Sequence, residues 1–135
     1  MGKKILVVDK RWEDVGKLMS YLEVQGNDVE YVNCVDGGKD ELVNKYDAAV
    51  LDLRLPLEER GPSDIYNGMG FAAYISVIYP EMLFVIHSSG LPESIVESFK
   101  SADVPCFEKA GNDMNAQEDN ARRILDYFES VWYPD

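Results

Sequence analysis

Long apolar runs are missing from this 135-residue sequence. The Lys3-Lys4 pair is followed only by a strand-length stretch, Ile5 to Val8, too short for a secretory signal or a membrane span. Cysteine is scarce. Cys34 and Cys106 each fall in or beside a predicted buried strand and read as small apolar residues of a reduced compartment, not as a disulfide or a metal pair. Together these features point to the cytoplasm. Positive charge is also in short supply: Lys and Arg number 13 against 25 Asp and Glu, a net charge of −12 at pH 7. So acidic a chain is repelled by phosphate backbones, and no Lys/Arg cluster offsets that, so nucleic acid is not an expected partner. No G-x-G-x-x-G follows the first apolar run and no Walker A is present, which argues against dinucleotide and P-loop sites. Asn67-Gly68-Met69-Gly70 is too weak a match to revive either. Internal repeats, low-complexity tracts and linkers are absent as well.

What is present is the balance of a globular chain, 46% apolar and 28% charged, enough for one domain over residues 1–135 with a real core. Its elements alternate. Lys4 to Val8 reads as a strand. Trp12 to Val24 reads as an amphipathic helix with Trp12, Val15, Leu18, Met19 and Leu22 on one face, stopped by Gly26-Asn27. Val29 to Val35 reads as a second strand. Asp36-Gly37-Gly38 is expected to turn the chain into a short helix, about Lys39 to Lys45. Ala48 to Leu51 is an apolar run too short for a helix and reads as a strand buried on both faces. Leu57 to Asn67, rich in charge with Gly and Pro, is expected to be a long loop beside the strand ends. Gly68 to Ile78 (Phe71, Tyr74, Ile75 and Ile78 inward) and a helix after Pro92 (Ile95, Val96 and Phe99 inward) flank a strand at Met82 to Ile86. Val104 to Phe107 is a fifth strand. Asn115 to Val131 is a closing helix with Ala121, Ile124, Leu125, Phe128 and Val131 as its stripe. The pattern βαβαβαβαβα predicts a parallel sheet with right-handed crossovers and helices on both faces.

In open α/β sheets ligands bind at the carboxyl ends of the strands. Asp9 and Lys10 follow the first strand, Asp52 the third, His87 and Ser88 the fourth, and Lys109 the fifth. Acids, a hydroxyl and a lysine on one edge suit a divalent cation and a phosphoryl group. Mg²⁺ takes one or two carboxylates plus phosphate oxygens, a carboxylate can accept a phosphoryl group, and lysine offers a point charge to a phosphate oxygen.

These residues resemble the receiver domains of two-component response regulators, and the resemblance runs over nearly all of the chain. Ile5-Leu6-Val7-Val8-Asp9 is similar to that family's first strand, Leu51-Asp52-Leu53-Arg54-Leu55-Pro56 to its phosphoacceptor strand and turn, Asn67-Gly68 to the start of its third helix, and Phe107-Glu108-Lys109 to its last strand and lysine. The resemblance implies a flavodoxin-like, doubly wound (βα)₅ fold with strand order 2-1-3-4-5. It implies Asp52 as phosphoacceptor, with Asp9, Asp52 and the Arg54 main-chain carbonyl around Mg²⁺. Lys109 and either Ser88 or His87 would contact the phosphoryl group. Cys106 and Phe107 fall at the switch region. The implied partners are a histidine kinase or phosphotransfer protein and a downstream protein, with no membrane. The chain would act by protein contact as a monomer or weak homodimer, not as an enzyme.

Departures from the family pattern carry their own expectations. Lys10 stands where a second acid is usual. A lysine about 4 Å from Asp52 would gain roughly 4 kcal/mol at an effective dielectric near 20, before desolvation, enough to compete with a weakly held metal. The expectation is that the Lys10 ammonium partly replaces Mg²⁺. Ungapped alignment puts His87 at the Thr/Ser position, and a one-residue shift puts Ser88 there. A protonated His87 would make the site pH-sensitive near neutrality. Ala110 replaces the usual proline. These departures leave open a pseudo-receiver of the same fold, unphosphorylated and used for binding or dimerisation.

Overall fold

The computed structural model describes residues 2–135. Five parallel strands form one sheet: β1 (Lys4–Val8), β2 (Asp28–Val32), β3 (Ala48–Leu51), β4 (Leu83–Ser88) and β5 (Cys106–Glu108), in the order β2-β1-β3-β4-β5. The helices are α1 (Trp12–Val24), α2 (Val35–Leu42), α3 (Ile65–Ile78), α4 (Glu93–Ser101) and α5 (Met114–Trp132). This is the flavodoxin-like doubly wound fold expected from the alternation of elements.

Strand alternation divides the core in two. Ile5 and Val7 of β1, with Val50 and Val85, pack against Val15, Leu18 and Leu22 of α1 and Ile124, Leu125 and Phe128 of α5. Leu6 and Val8, with Leu51 and Ile86, face the opposite layer, where Leu42 of α2 and Phe71 and Ile75 of α3 close the core. Apolar side chains on both faces are what a covered parallel sheet requires. Register then aligns the strand ends. Val8 pairs with Leu51, Leu51 with Ile86, and Ser88 with Glu108, so Asp9, Asp52 and the end of β4 emerge side by side.

Several expected boundaries move. The Asp36-Gly37-Gly38 segment is not a turn before a helix. It lies in the first turn of α2, and Cys34, outside β2, caps that helix by accepting a hydrogen bond from the Gly37 amide at 3.3 Å. Each glycine costs a helix about 1 kcal/mol, but Val35 and Leu42 are fully buried, each contributing about 1.5–3 kcal/mol. Gly38 is also required by packing, since a Cβ there would meet the Phe71 ring at 2.6 Å.

The expected loop over residues 57–67 is shorter than predicted. Leu55–Pro56 pairs antiparallel with Ser63–Asp64, and Asp64 caps α3, accepting from the Tyr66 amide. Helix α3 therefore starts at Ile65. Its Gly68 lies against the chain after β3: a Cβ would fall 2.2 Å from the Leu53 carbonyl oxygen. Strand β4 runs two residues further than expected and takes in His87 and Ser88. Trp12, Ile78 and Val131, predicted inward, are 53%, 51% and 46% exposed. Among the described residues, no helix is long and apolar enough to cross a membrane.

Candidate functional site

Asp9 leaves β1 fully buried. Its carbonyl accepts from the Tyr31 hydroxyl at 2.7 Å and its Oδ1 from the Arg11 amide at 2.9 Å. Asp52 leaves β3 beside it, almost as buried. Its Oδ1 accepts from the Ser88 hydroxyl at 2.6 Å and from the Arg54 amide at 3.3 Å. Lys109 follows β5, its own amide donating to the Ser88 carbonyl at 3.0 Å. The Lys109 ammonium lies 2.8 Å from Asp9 Oδ2, 3.0 Å from Asp14 Oδ2 and 3.1 Å from Asp52 Oδ2. The Asp9 contact is an ion pair by distance only, because Oδ2 is buried without a well-aligned hydrogen bond.

Three carboxylates around one ammonium leave the cluster short of positive charge. Burial, then the Asp52 carboxylate, push the Asp9 pKa up to about 6 against the pull of Lys109. Burial works to lower the Lys109 pKa, but Asp52 and Asp9 outweigh it and raise it above the ordinary lysine value. Burial raises Tyr31 to about 12, with Asp9 adding to the shift.

The sequence-predicted residues divide. Asp9, Asp52, Ser88 and Lys109 come together. Of the two residues considered for the Thr/Ser position, Ser88 touches Asp52. His87 points to the other side of β4, where it lines a small cavity of about 140 Å³ with Asp14, Lys17 and Asn120. The expected pH sensitivity of His87 near neutrality is corrected: burial, then Lys109, lower its pKa to about 4. The expectation for Lys10 is corrected too. Lys10 is exposed and makes no ion pair among the described residues. It follows the buried Asp9 directly in the chain, and the cation among the acids is Lys109. Cys106 and Phe107 sit on opposite faces of β5, Cys106 half-buried toward α4 and Phe107 buried beneath the Arg123 guanidinium.

Two features escaped the sequence. Asp14, in the first turn of α1, is a third acid. The Arg54 side chain, considered only for its carbonyl, donates to the Ser89 and Gly90 carbonyls at 2.7 and 3.2 Å. From the other side the Gly90 amide donates to Glu108 at 2.9 Å. The loop that follows Ser88 is thus tied from both flanks.

For a hard divalent cation the donor type fits: clustered carboxylate oxygens, one of them buried without a hydrogen bond. As they stand, however, the acids are wrapped around an ammonium, and no group of three His, Cys, Asp or Glu donors among the described residues is set to hold a metal. Mg²⁺ does not need such a cage, because it keeps waters and takes one or two carboxylates plus phosphate oxygens.

No family model matches the sequence, and no curated protein matches it. Solved structures do match. A CheY-like response regulator receiver domain protein from Methanospirillum hungatei JF-1 is 17% identical, with 97% of this chain and 99% of that one covered and a TM-score of 0.71. The phosphorylated cyanobacterial phytochrome response regulator RcpA is 17% identical over 97% of this chain and 96% of its own, TM-score 0.77. The Mn(2+)-bound form of the response regulator Rcp1 is 17% identical over 98% and 95%, TM-score 0.74. The chain therefore has the fold of response-regulator receiver domains across its length.

Proposed function

We propose that the chain works as a receiver, with Asp52 accepting a phosphoryl group from a histidine kinase or phosphotransfer protein. The observation that carries this reading is the setting of Asp52 at the end of the central strand. One carboxylate oxygen is held by the Ser88 hydroxyl and the other by the Lys109 ammonium. A hydroxyl donor and a fixed cation suit the charge that develops on phosphoryl oxygens during transfer.

A carboxylate oxygen of Asp52 attacks phosphorus, and the bond from phosphorus to the donor nitrogen breaks. The product is a mixed anhydride on Asp52, and the released imidazole takes up a proton. Ser88 then donates to a phosphoryl oxygen in place of the carboxylate, and Lys109 faces the new dianion. Asp9, Asp52 and the Arg54 main-chain carbonyl would hold Mg²⁺, which when bound neutralises charge between the acids and the phosphoryl oxygens. The output is a protein contact, read from the Ser88–Gly90 loop and the face of α4 and β5 beside it.

The fold likeness to phosphorylated and metal-bound regulators supports this reading. A second reading, an unphosphorylated pseudo-receiver, is favoured by one observation: all three acids are already engaged by Lys109. Incubation with acetyl phosphate and Mg²⁺ followed by intact-mass measurement separates the two. A gain of one phosphoryl group, lost in Asp52→Asn, is the expected result. No gain at high Mg²⁺ would establish the pseudo-receiver instead.

A further inference from the structure

A lysine ammonium has three protons to donate, and around Lys109 stand three carboxylates: Asp9 at 2.8 Å, Asp14 at 3.0 Å and Asp52 at 3.1 Å. Two of those protons go to Asp14 and Asp52, while the Asp9 contact is one of charge alone. A dianionic phosphoryl group on Asp52 would draw this ammonium toward its own oxygens, at the expense of whichever of these partners lets go most easily. Their burial ranks them. The Asp9 side chain is 1% exposed, Asp52 7% and Asp14 30%. Stripping the cation from a buried carboxylate leaves a charge out of reach of water, whereas a part-exposed carboxylate is taken up by solvent. Asp14 also keeps a second cation when Lys109 leaves, since Arg11 Nε lies 3.6 Å from its Oδ1. Asp14 is the partner that yields.

We propose that Asp14 is a positioning residue of this site, holding Lys109 while Asp52 is unmodified and competing with the phosphoryl group for it afterwards. The inference rests on the reading of Asp52 as phosphoacceptor. Asp14 does not stand in for the acid displaced by Lys10, because both of its oxygens face cationic side chains and it acts as a counter-ion. Its effect is to restrain phosphoryl capture, so removing its charge strengthens the phosphorylated state.

The test compares the wild-type chain with Asp14→Asn, Asp14→Glu and Asp52→Asn through two measurements. The first is the ratio of phosphorylated to unmodified chain at sub-saturating acetyl phosphate with Mg²⁺, read by intact mass. Loss of a like charge close to the phosphoryl group, part-screened by solvent, is expected to raise that ratio roughly five- to tenfold in Asp14→Asn. Asp14→Glu should return it toward the wild type. The second is acylation of Lys109 by acetic anhydride at alkaline pH, mapped by peptide mass and normalised to exposed Lys10. It should be several-fold faster in Asp14→Asn. An unchanged acylation ratio would overturn the proposal, as would an unchanged phosphoryl ratio in a variant whose wild type is phosphorylated. A lower phosphoryl ratio with weakened Mg²⁺ dependence would overturn it by making Asp14 a metal ligand. If neither wild type nor Asp14→Asn gains mass, the receiver reading fails and this proposal with it, and acylation still reports whether Asp14 holds Lys109.

Discussion

His87 is a neutral side chain beside a charged site. Its pKa of about 4 is set first by burial and then by Lys109, while the Asp52 and Asp14 carboxylates pull the other way and lose. The unfolded chain takes up this proton near pH 6.5 and the folded chain only near pH 4. Stability from His87 is therefore complete above pH 6.5 and falls as pH drops through that window, by up to about 3 kcal/mol. Asp9 has the opposite sign. Its folded pKa of about 6 lies above the ordinary 3.8, so its contribution is full below pH 3.8 and is lost as pH rises through 6. The two largely offset each other, and in metal-free buffer the wild-type Tm should change little between pH 6.5 and 4.5. In His87→Gln only the Asp9 side remains, and Tm should rise on acidification. Thermal melts of both proteins across that range check this, and equal slopes would show that His87 is not held neutral. At this scale the sequence was readable where chemistry sits directly after a strand, as with Asp9, Asp52 and Lys109. Asp14 was not readable, because an acid in a first helical turn is already accounted for by the helix dipole. The signal that could have found it is topological: the first turn of α1 begins at the same sheet edge as Asp9.

Among the elements, α4 stands apart. The other helices each bury at least three residues, whereas Ile95, Val96 and Phe99 of α4 are only partly buried and none of its residues is fully buried. An element with so little buried area opens at low cost. Native-state hydrogen exchange should show α4 amides losing protection well before those of α1, α3 and α5, with opening free energies below the global value. Equal protection across the helices would contradict this. The strands and long helices were legible because apolar runs and a 3.6-residue period each admit one solution. The start of α2 was not legible. Gly37-Gly38 looks like a turn until the Phe71 ring, 33 residues on from Gly38, is seen to occupy the space of a side chain. The fourth helix was legible as a helix but not in its thin burial, which depends on how far it stands from the sheet.

Over the whole molecule, 25 acids against 13 bases give a net charge of −12, and self-repulsion favours expanded chains. The exposed pairs that oppose it, Lys17 with Glu118 and Arg122 with Asp119 and Asp126, are screened by solvent and contribute little. Raising salt shortens the Debye length from over ~10 Å to a few ångströms, and repulsion summed over the surface should weaken more than those few pairs. Tm is therefore expected to rise by a few degrees between about 0.05 and 0.5 M NaCl, with a fall indicating that the exposed pairs dominate.

The order β2-β1-β3-β4-β5 leaves two open sides on the sheet. β5 has only three residues, and β2 carries the exposed acids Asp28 and Glu30. An incoming strand would find too few hydrogen-bonding groups on one flank and a row of like charge on the other. The same brevity of β5 that brings Lys109 back to the site at once thus also guards the molecule against joining its own copies into extended sheets.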